Sequence, residues 1–270
     1  MNNGFKPDTP EFLYHYTTLE SLALILINRT FRFSRLSDLN DPLEGKNDSF
    51  EHAEKLVYSS SWTASQDDTL PMWKMYAGLD GVRIKLPSDL FASQGEPSHG
   101  LWPPLEAALN GMKLNNPVTI TLGGRYSHEM KHLSGPDAIE YVPRDNVADI
   151  PDVFFMRPIN SMEGKREDPT LVLAHVGLTK SQDWAFENEW RFRIPYFMDM
   201  SIINGGPEYI LKMPLPVETA VFLPFDPGKL DALEVLTGPK FTDGQMILLE
   251  ALINTHAPKA KIIKSGILIR

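Results

Sequence analysis

The chain contains no cysteine. Disulfides, a thiol nucleophile, iron–sulfur clusters and every cysteine-ligated zinc site are excluded together. Long apolar runs are missing too. The longest, Leu22 to Ile27, falls far short of the ~20 residues a membrane helix requires. Positive charge is scarce, with 26 Lys+Arg against 35 Asp+Glu and a formal net charge of −9. Such a chain is not built for bulk capture of nucleic acid, where phosphate neutralisation supplies most non-specific affinity. A local basic pocket could still hold one nucleotide or base. No internal repeat, low-complexity tract or Gly/Ser linker interrupts the sequence. The opening segment, MNNGFKPDTPEF, lacks the basic start and apolar core of a signal peptide. A cytoplasmic location with no membrane partner is expected.

What is present reads as an ordinary globular protein. Hydrophobic residues make up 42% and charged residues 23%, which argues against disorder. At 270 residues the chain can bury roughly 70–75% of the surface its unfolded form exposes, and it needs no staples. Its 22 prolines break long helices, so a helical bundle is not expected.

Phe12 to Thr17 reads as a short aromatic strand, and Thr17-Thr18-Leu19-Glu20 as a capping box that opens a helix. Further strands are predicted at Thr30–Ser34, Val57–Thr63, Gly81–Leu86, Val118–Leu122, Leu171–Val176, Trp190–Ile194 and Tyr209–Met213. A second capping box, Thr242-Asp243-Gly244-Gln245, opens a helix running toward His256. Strands mix with helices without a regular βαβ beat, which predicts an α+β fold. Residues 87–136, rich in Gly, Pro and Asn, read as an insertion within a single domain covering 1–270.

Three constellations could carry chemistry. On a strand, His15 and Thr17 share one face and Tyr14 and Tyr16 the other; a His beside a Thr hydroxyl can hold a sugar diol or a carbonyl. A strand-end His bonded to backbone is the structural alternative. In Glu187-Asn188-Glu189-Trp190-Arg191, a strand places Glu187, Glu189 and Arg191 on one side. Two carboxylates at that spacing raise each other's pKa and can divide labour, one ionised and one accepting a proton. A solvated face neutralised by Arg191 is the alternative there. In Met72-Trp73-Lys74-Met75-Tyr76-Ala77, Trp73 and Tyr76 share a helical face, an aromatic pairing commoner in cores than in stacking platforms.

Taken in order, these pieces resemble a bacterial domain family of unknown function. It carries L-Y-H-Y-T before a helix, N-D-P-x-E, M-W-x-x-Y-A before a G-V strand, E-x-E-W-R, and G-P-K. Here they stand as Leu13 to Thr17, Asn40-Asp41-Pro42-Leu43-Glu44, Met72 to Ala77 with Gly81-Val82, Glu187 to Arg191, and Gly238-Pro239-Lys240. That family is in turn similar to the ADP-ribosyltransferase superfamily. The likeness implies a bent, mostly antiparallel sheet split around a cleft, with flanking helices. It also implies NAD as substrate without a glycine-rich dinucleotide fingerprint, and no metal. His15 and Thr17 would fix ribose and carboxamide, as in the H-x-T version found in toxins that modify DNA bases. Tyr76 would stack on nicotinamide, Ser61 and Thr63 would support the pocket, and Arg32 or Arg35 would meet the pyrophosphate. Glu189 would stabilise the oxocarbenium ion, and Glu187 would orient or deprotonate a macromolecular acceptor, protein or nucleic-acid base. The implied activity is mono-ADP-ribosyl transfer, in a toxin, a defence-type effector or a housekeeping enzyme. A catalytically silent binding or regulatory domain on the same fold is the alternative.

One motif points elsewhere. His128-Glu129-Met130-Lys131-His132 matches H-E-x-x-H, which on a helix places two zinc ligands on one face with Glu as general base. Lys131 between the ligands, the cramped stretch between Gly123-Gly124 and Gly135-Pro136, and the lack of a well-spaced third ligand all count against a zinc hydrolase.

Overall fold

The structure, a computed structural model, describes residues 8–91, 118–122, 126–130, 133–161, 164–196 and 215–269. Strand β1 (Phe12–Thr17) leads straight into helix α1 (Leu19–Asn28). The cap falls one residue later than the sequence pattern places it: the Thr18 hydroxyl accepts the backbone N–H of Ser21. Glu20 then sits in the first turn, where its charge suits the helix dipole. α1 buries Leu22, Ile25 and Leu26 and stops at Arg29, whose φ of 56° is left-handed. The chain reverses there into β2 (Thr30–Arg35), and β3 (Val57–Thr63) follows a long polar loop.

One helical turn, α2 (Leu70–Met72), passes into a π-helical turn, Trp73–Ala77, before β4 (Val82–Pro87). Two glycines explain the motifs around this corner. A Cβ on Gly81 would lie 2.2 Å from the Ala77 carbonyl oxygen, and one on Gly238 would lie 2.4 Å from that of Leu79. Only glycine lets those backbones meet, and the Gly238 N–H bonds the Gly81 carbonyl.

The remaining strands are β5 (Val118–Leu122), β6 (Tyr126–Met130), β7 (Ser134–Ala138), β8 (Glu140–Val142), β9 (Phe154–Ser161), β10 (Gly164–Leu171), β11 (Thr179–Ser181), β12 (Glu189–Pro195), β13 (Ala220–Pro224), β14 (Glu234–Thr237) and β15 (Lys261–Lys264). Nine strands make one curled, mixed sheet in the order β13-β2-β3-β1-β4-β14-β15, with β12 on β3 and β7 on β12. Its pairs are antiparallel except β14 with β15. The architecture is α+β. Among the described residues no helix is long and apolar enough to cross a membrane.

The sheet opens at β3. One edge of β3 carries β12 along its whole length, from Val57 to Thr63. The other edge is divided: β2 pairs with Tyr58 and Ser59, and β1 with Thr63 alone. Between them the Ser61 carbonyl is satisfied by a side chain, accepting from His15 Nδ1 at 2.8 Å. Across-strand partners share a face. Glu189, Arg191 and Arg193 therefore lie with Thr63, Ser61 and Ser59 on a polar face. Trp62 and Phe192 lie on the opposite face, in an aromatic core with Phe31, Phe91 and Phe225.

The strand predicted at Leu171–Val176 ends at Leu171. The next carbonyls have other partners: Arg193 Nη1 donates to Ala174 and Val176, and Arg191 Nη1 to Gly177. Tyr209–Met213 lies outside the described residues. Of the segment read as an insertion, β5 and β6 form a separate hairpin, Leu90 and Phe91 enter the core, and Ser134 to Pro136 belong to β7 in the main sheet.

At the far end, helix α3 (Asp243–His256) starts on a complete capping box: Thr242 and Gln245 each accept the other's backbone N–H, at 3.2 and 2.9 Å. Thr242→Ala should lower unfolding free energy by about 0.5–2 kcal/mol, measured as the midpoint of urea denaturation.

Candidate functional site

The N-D-P-x-E segment does its work by bending. Asp41 Oδ1 accepts the Leu43 N–H at 3.0 Å, and Gly45 turns the chain with φ at 69°. Glu44 is thereby delivered, buried, beneath the polar face of β12. From the other side β11 supplies Lys180, buried and capped by the Trp184 ring 4.7 Å from its Nζ. Glu187 is the last residue of a 3₁₀ helix, Gln182–Glu187, and not a strand residue as its E-x-E spacing predicts. Asn188 takes the left-handed conformation at φ 43°, which Asn tolerates. That turn brings Glu187 round beside Glu189, the first residue of β12.

These side chains form one ionic cluster. The Lys180 ammonium lies 3.2 Å from Glu44 Oε1, 2.5 Å from Glu187 Oε2 and 3.1 Å from Glu189 Oε2. Arg191 grips Glu189 with two bonds, Nε to Oε1 at 2.5 Å and Nη2 to Oε2 at 2.9 Å. Its Nη1 meets Glu44 Oε2 at 2.6 Å. The Tyr76 hydroxyl donates to Glu187 Oε1, and the Tyr141 hydroxyl accepts the Glu189 N–H at 2.8 Å.

Three carboxylates face two cations, so one negative charge is in surplus. The two glutamates divide it unequally. Burial, then repulsion from Glu189, pushes Glu187 up to about 7. Burial would raise Glu189 as well, but Arg191 and Lys180 overcome it and hold that carboxyl down at about 2. Burial opposes the charge on Lys180, yet Glu189 and Glu44 outweigh it and its pKa is raised. Burial and Glu187 together push the Tyr76 phenol up.

A cavity of about 250 Å³ opens onto this cluster. Of the residues singled out in the sequence it is lined by His15, Ser61, Thr63, Tyr76, Glu187 and Glu189, which are far apart along the chain. Arg32 lines it too. Thr17 does not; it is buried and pairs with Val82 of β4. Arg35 does not; its guanidinium bonds the Pro216 carbonyl and Asp38. His15 also arrives differently from expectation. Tyr14, the cross-strand partner of Thr63, takes the polar face. His15 takes the other, with ring centroids 5.0 Å from Trp62 and 6.1 Å from Phe31, and reaches the cavity at the split beside Ser61. Burial lowers its pKa and favours the neutral ring.

Glu44 and Lys180 complete the site and were not among the predicted residues. Glu44 stood inside a recognised motif, but Lys180 gave no signal. As for the H-E-x-x-H motif, His128 and Glu129 lie on strand β6 rather than a helix. His132 lies outside the described residues.

The split titration has a consequence for stability. Between the usual 4.5 and about 7, folded Glu187 retains a proton the unfolded chain has released. Its stabilising effect is full below 4.5 and is lost as pH rises through 7. Glu189 acts in reverse: its contribution is present above 4.5 and lost as pH falls toward 2. Neutral buried His15 adds stability as pH rises toward 6.5, so the Glu187 effect is isolated by difference. From pH 5 to 8 the wild type should lose melting temperature relative to Glu187→Gln; parallel curves would contradict the assignment.

No family model, curated protein or solved structure matches this chain.

Proposed function

We propose that this chain is an NAD-dependent mono-ADP-ribosyltransferase acting on a macromolecular acceptor. The observation that supports it most is the pair Glu187 and Glu189, held side by side at one cavity with opposite protonation tendencies. Two carboxylates whose pKa values are pushed apart are the arrangement that acid–base and ionic roles require.

In this reading the bond between ribose C1′ and nicotinamide breaks, and its electron pair leaves with nicotinamide. Glu189, ionised at any pH near neutral, stabilises the oxocarbenium ion that forms. Glu187 in its ionised form takes the proton from the acceptor as the new bond to C1′ forms. Tyr76 provides an aromatic wall for the nicotinamide. His15, neutral, and the hydroxyls of Ser61 and Thr63 offer hydrogen bonds to ribose and carboxamide. At about 250 Å³ the cavity is smaller than the ~300–1,000 Å³ of whole-ligand pockets. It suits the nicotinamide–ribose half, with the pyrophosphate beside Arg32, which is exposed and has no ion-pair partner among the described residues.

A second reading, a silent binding domain, has its own observation in favour. Tyr76 already bonds Glu187, and Arg191 already holds both oxygens of Glu189. Incubation with NAD labelled in its adenylate half and a cell lysate separates the two. Label that becomes macromolecular, with nicotinamide released, supports the transferase, and protease or nuclease treatment identifies the acceptor. Saturable NAD binding without release of nicotinamide supports the silent domain.

A further inference from the structure

We infer that Lys180 is a positioning residue, whose ammonium ties Glu187 and Glu189 into a single carboxylate pair with Glu44 as its anchor. The ammonium donates hydrogen bonds to Glu187 at 2.5 Å and to Glu189 at 3.1 Å, and pairs by charge with Glu44 at 3.2 Å. The groups facing Lys180 are Glu44 from the loop after β2, Glu187 and Trp184 from the 3₁₀ helix, and Glu189 and Arg191 from β12. Tyr76 and Tyr141 bond the two glutamates from outside.

Arg191 cannot do this work. Its guanidinium reaches Glu189 and Glu44, and among the described residues Lys180 alone bridges from Glu189 to Glu187. Without that bridge, two carboxylates facing one cavity repel, and Glu187 keeps its proton to higher pH. Because Lys180 is held charged, it is not itself a nucleophile or base; it acts through the glutamates. Only the catalytic consequence of this inference rests on the transferase reading.

The test is carboxyl ¹³C titration of Glu187 in the wild type, in Lys180→Met, and in Lys180→Met/Glu44→Gln. The double variant removes one charge of each sign and so protects folding. Lys180 lies 2.5 Å from Glu187, whereas Glu44 is not among the charges that act most on it, so loss of the ammonium dominates. Glu187 should titrate about one pH unit or more higher in whichever variant folds, as loss of an adjacent opposite charge requires. In the wild type itself, Lys180 Nζ–H should exchange slowly and change its shift at the midpoint of Glu187. The same or a lower midpoint in the variant, or a fast-exchanging ammonium blind to Glu187, overturns the inference. Any transfer activity should show its pH inflection displaced by the same amount. If the wild type turns over no NAD, the transferase reading fails while the titration still decides the role of Lys180.

Discussion

Arg191→Met should lower the unfolding free energy by about 3–5 kcal/mol, the cost of leaving buried partners of an ion pair uncompensated. Arg191 is fully enclosed; it donates two bonds to Glu189 and one to the Gly177 carbonyl, and its charge offsets that of Glu44, 2.6 Å away. Methionine matches its bulk but none of those donors, so Lys180 is left to balance three buried carboxylates. Since a domain holds only about 5–15 kcal/mol in total, this one change should bring the protein near the edge of folding. Arg191→Lys should recover little, because a point charge cannot bond both oxygens of Glu189 and reach Glu44 as well. Arg191→Met combined with Glu189→Gln should be less damaging than the two single losses summed, by about 0.5–3 kcal/mol, since each single change strands the other's partner. Urea denaturation of the wild type, the three single variants and the double variant provides the numbers. A loss under about 1 kcal/mol for Arg191→Met would mean that the cluster is solvated and the site is not preorganised.

How far the site was legible in the sequence depends on how local its parts are. The E-x-E spacing marked both glutamates although its geometric reasoning fails, because Asn188 turns the chain where a strand was expected. Burial on both sides of the sheet also hides the alternation that would assign faces. β1 reads half-buried and buried in no two-residue rhythm, so His15 and Tyr14 exchange roles without any trace in the pattern. Capping boxes are local hydrogen-bond patterns, and both predicted helices exist, one with its cap displaced by a residue. Lys180 is the opposite case. A lone lysine in a short strand reads as exposed, since lysine is almost never fully buried unless paired. Its partners lie at Glu44, Glu187 and Glu189, and it reaches them from β11, which pairs with β8 outside the main sheet.

Glu189→Gln should reduce both nicotinamide release and acceptor labelling by about 10²–10³, because the lost charge is used whichever nucleophile follows. Glutamine keeps the shape, and Glu44 still pairs with Arg191, so circular dichroism and melting can confirm that the variant is folded when its rates are read. Glu187→Gln makes a different prediction. Glu187, poised at about 7, is suited to accept the acceptor's proton, and water needs less orientation than a specific acceptor. Labelling should therefore collapse while slow release of nicotinamide to water persists. The pH dependence follows the same logic. A base works when ionised, so wild-type labelling should rise as pH climbs through 7, and Glu187→Gln should flatten that rise. Equal and small effects in both variants would remove the catalytic assignment. Unchanged NAD binding with no release in the wild type would leave the cluster as the scaffold of a binding site, with Arg191 and Tyr76 keeping both carboxylates occupied.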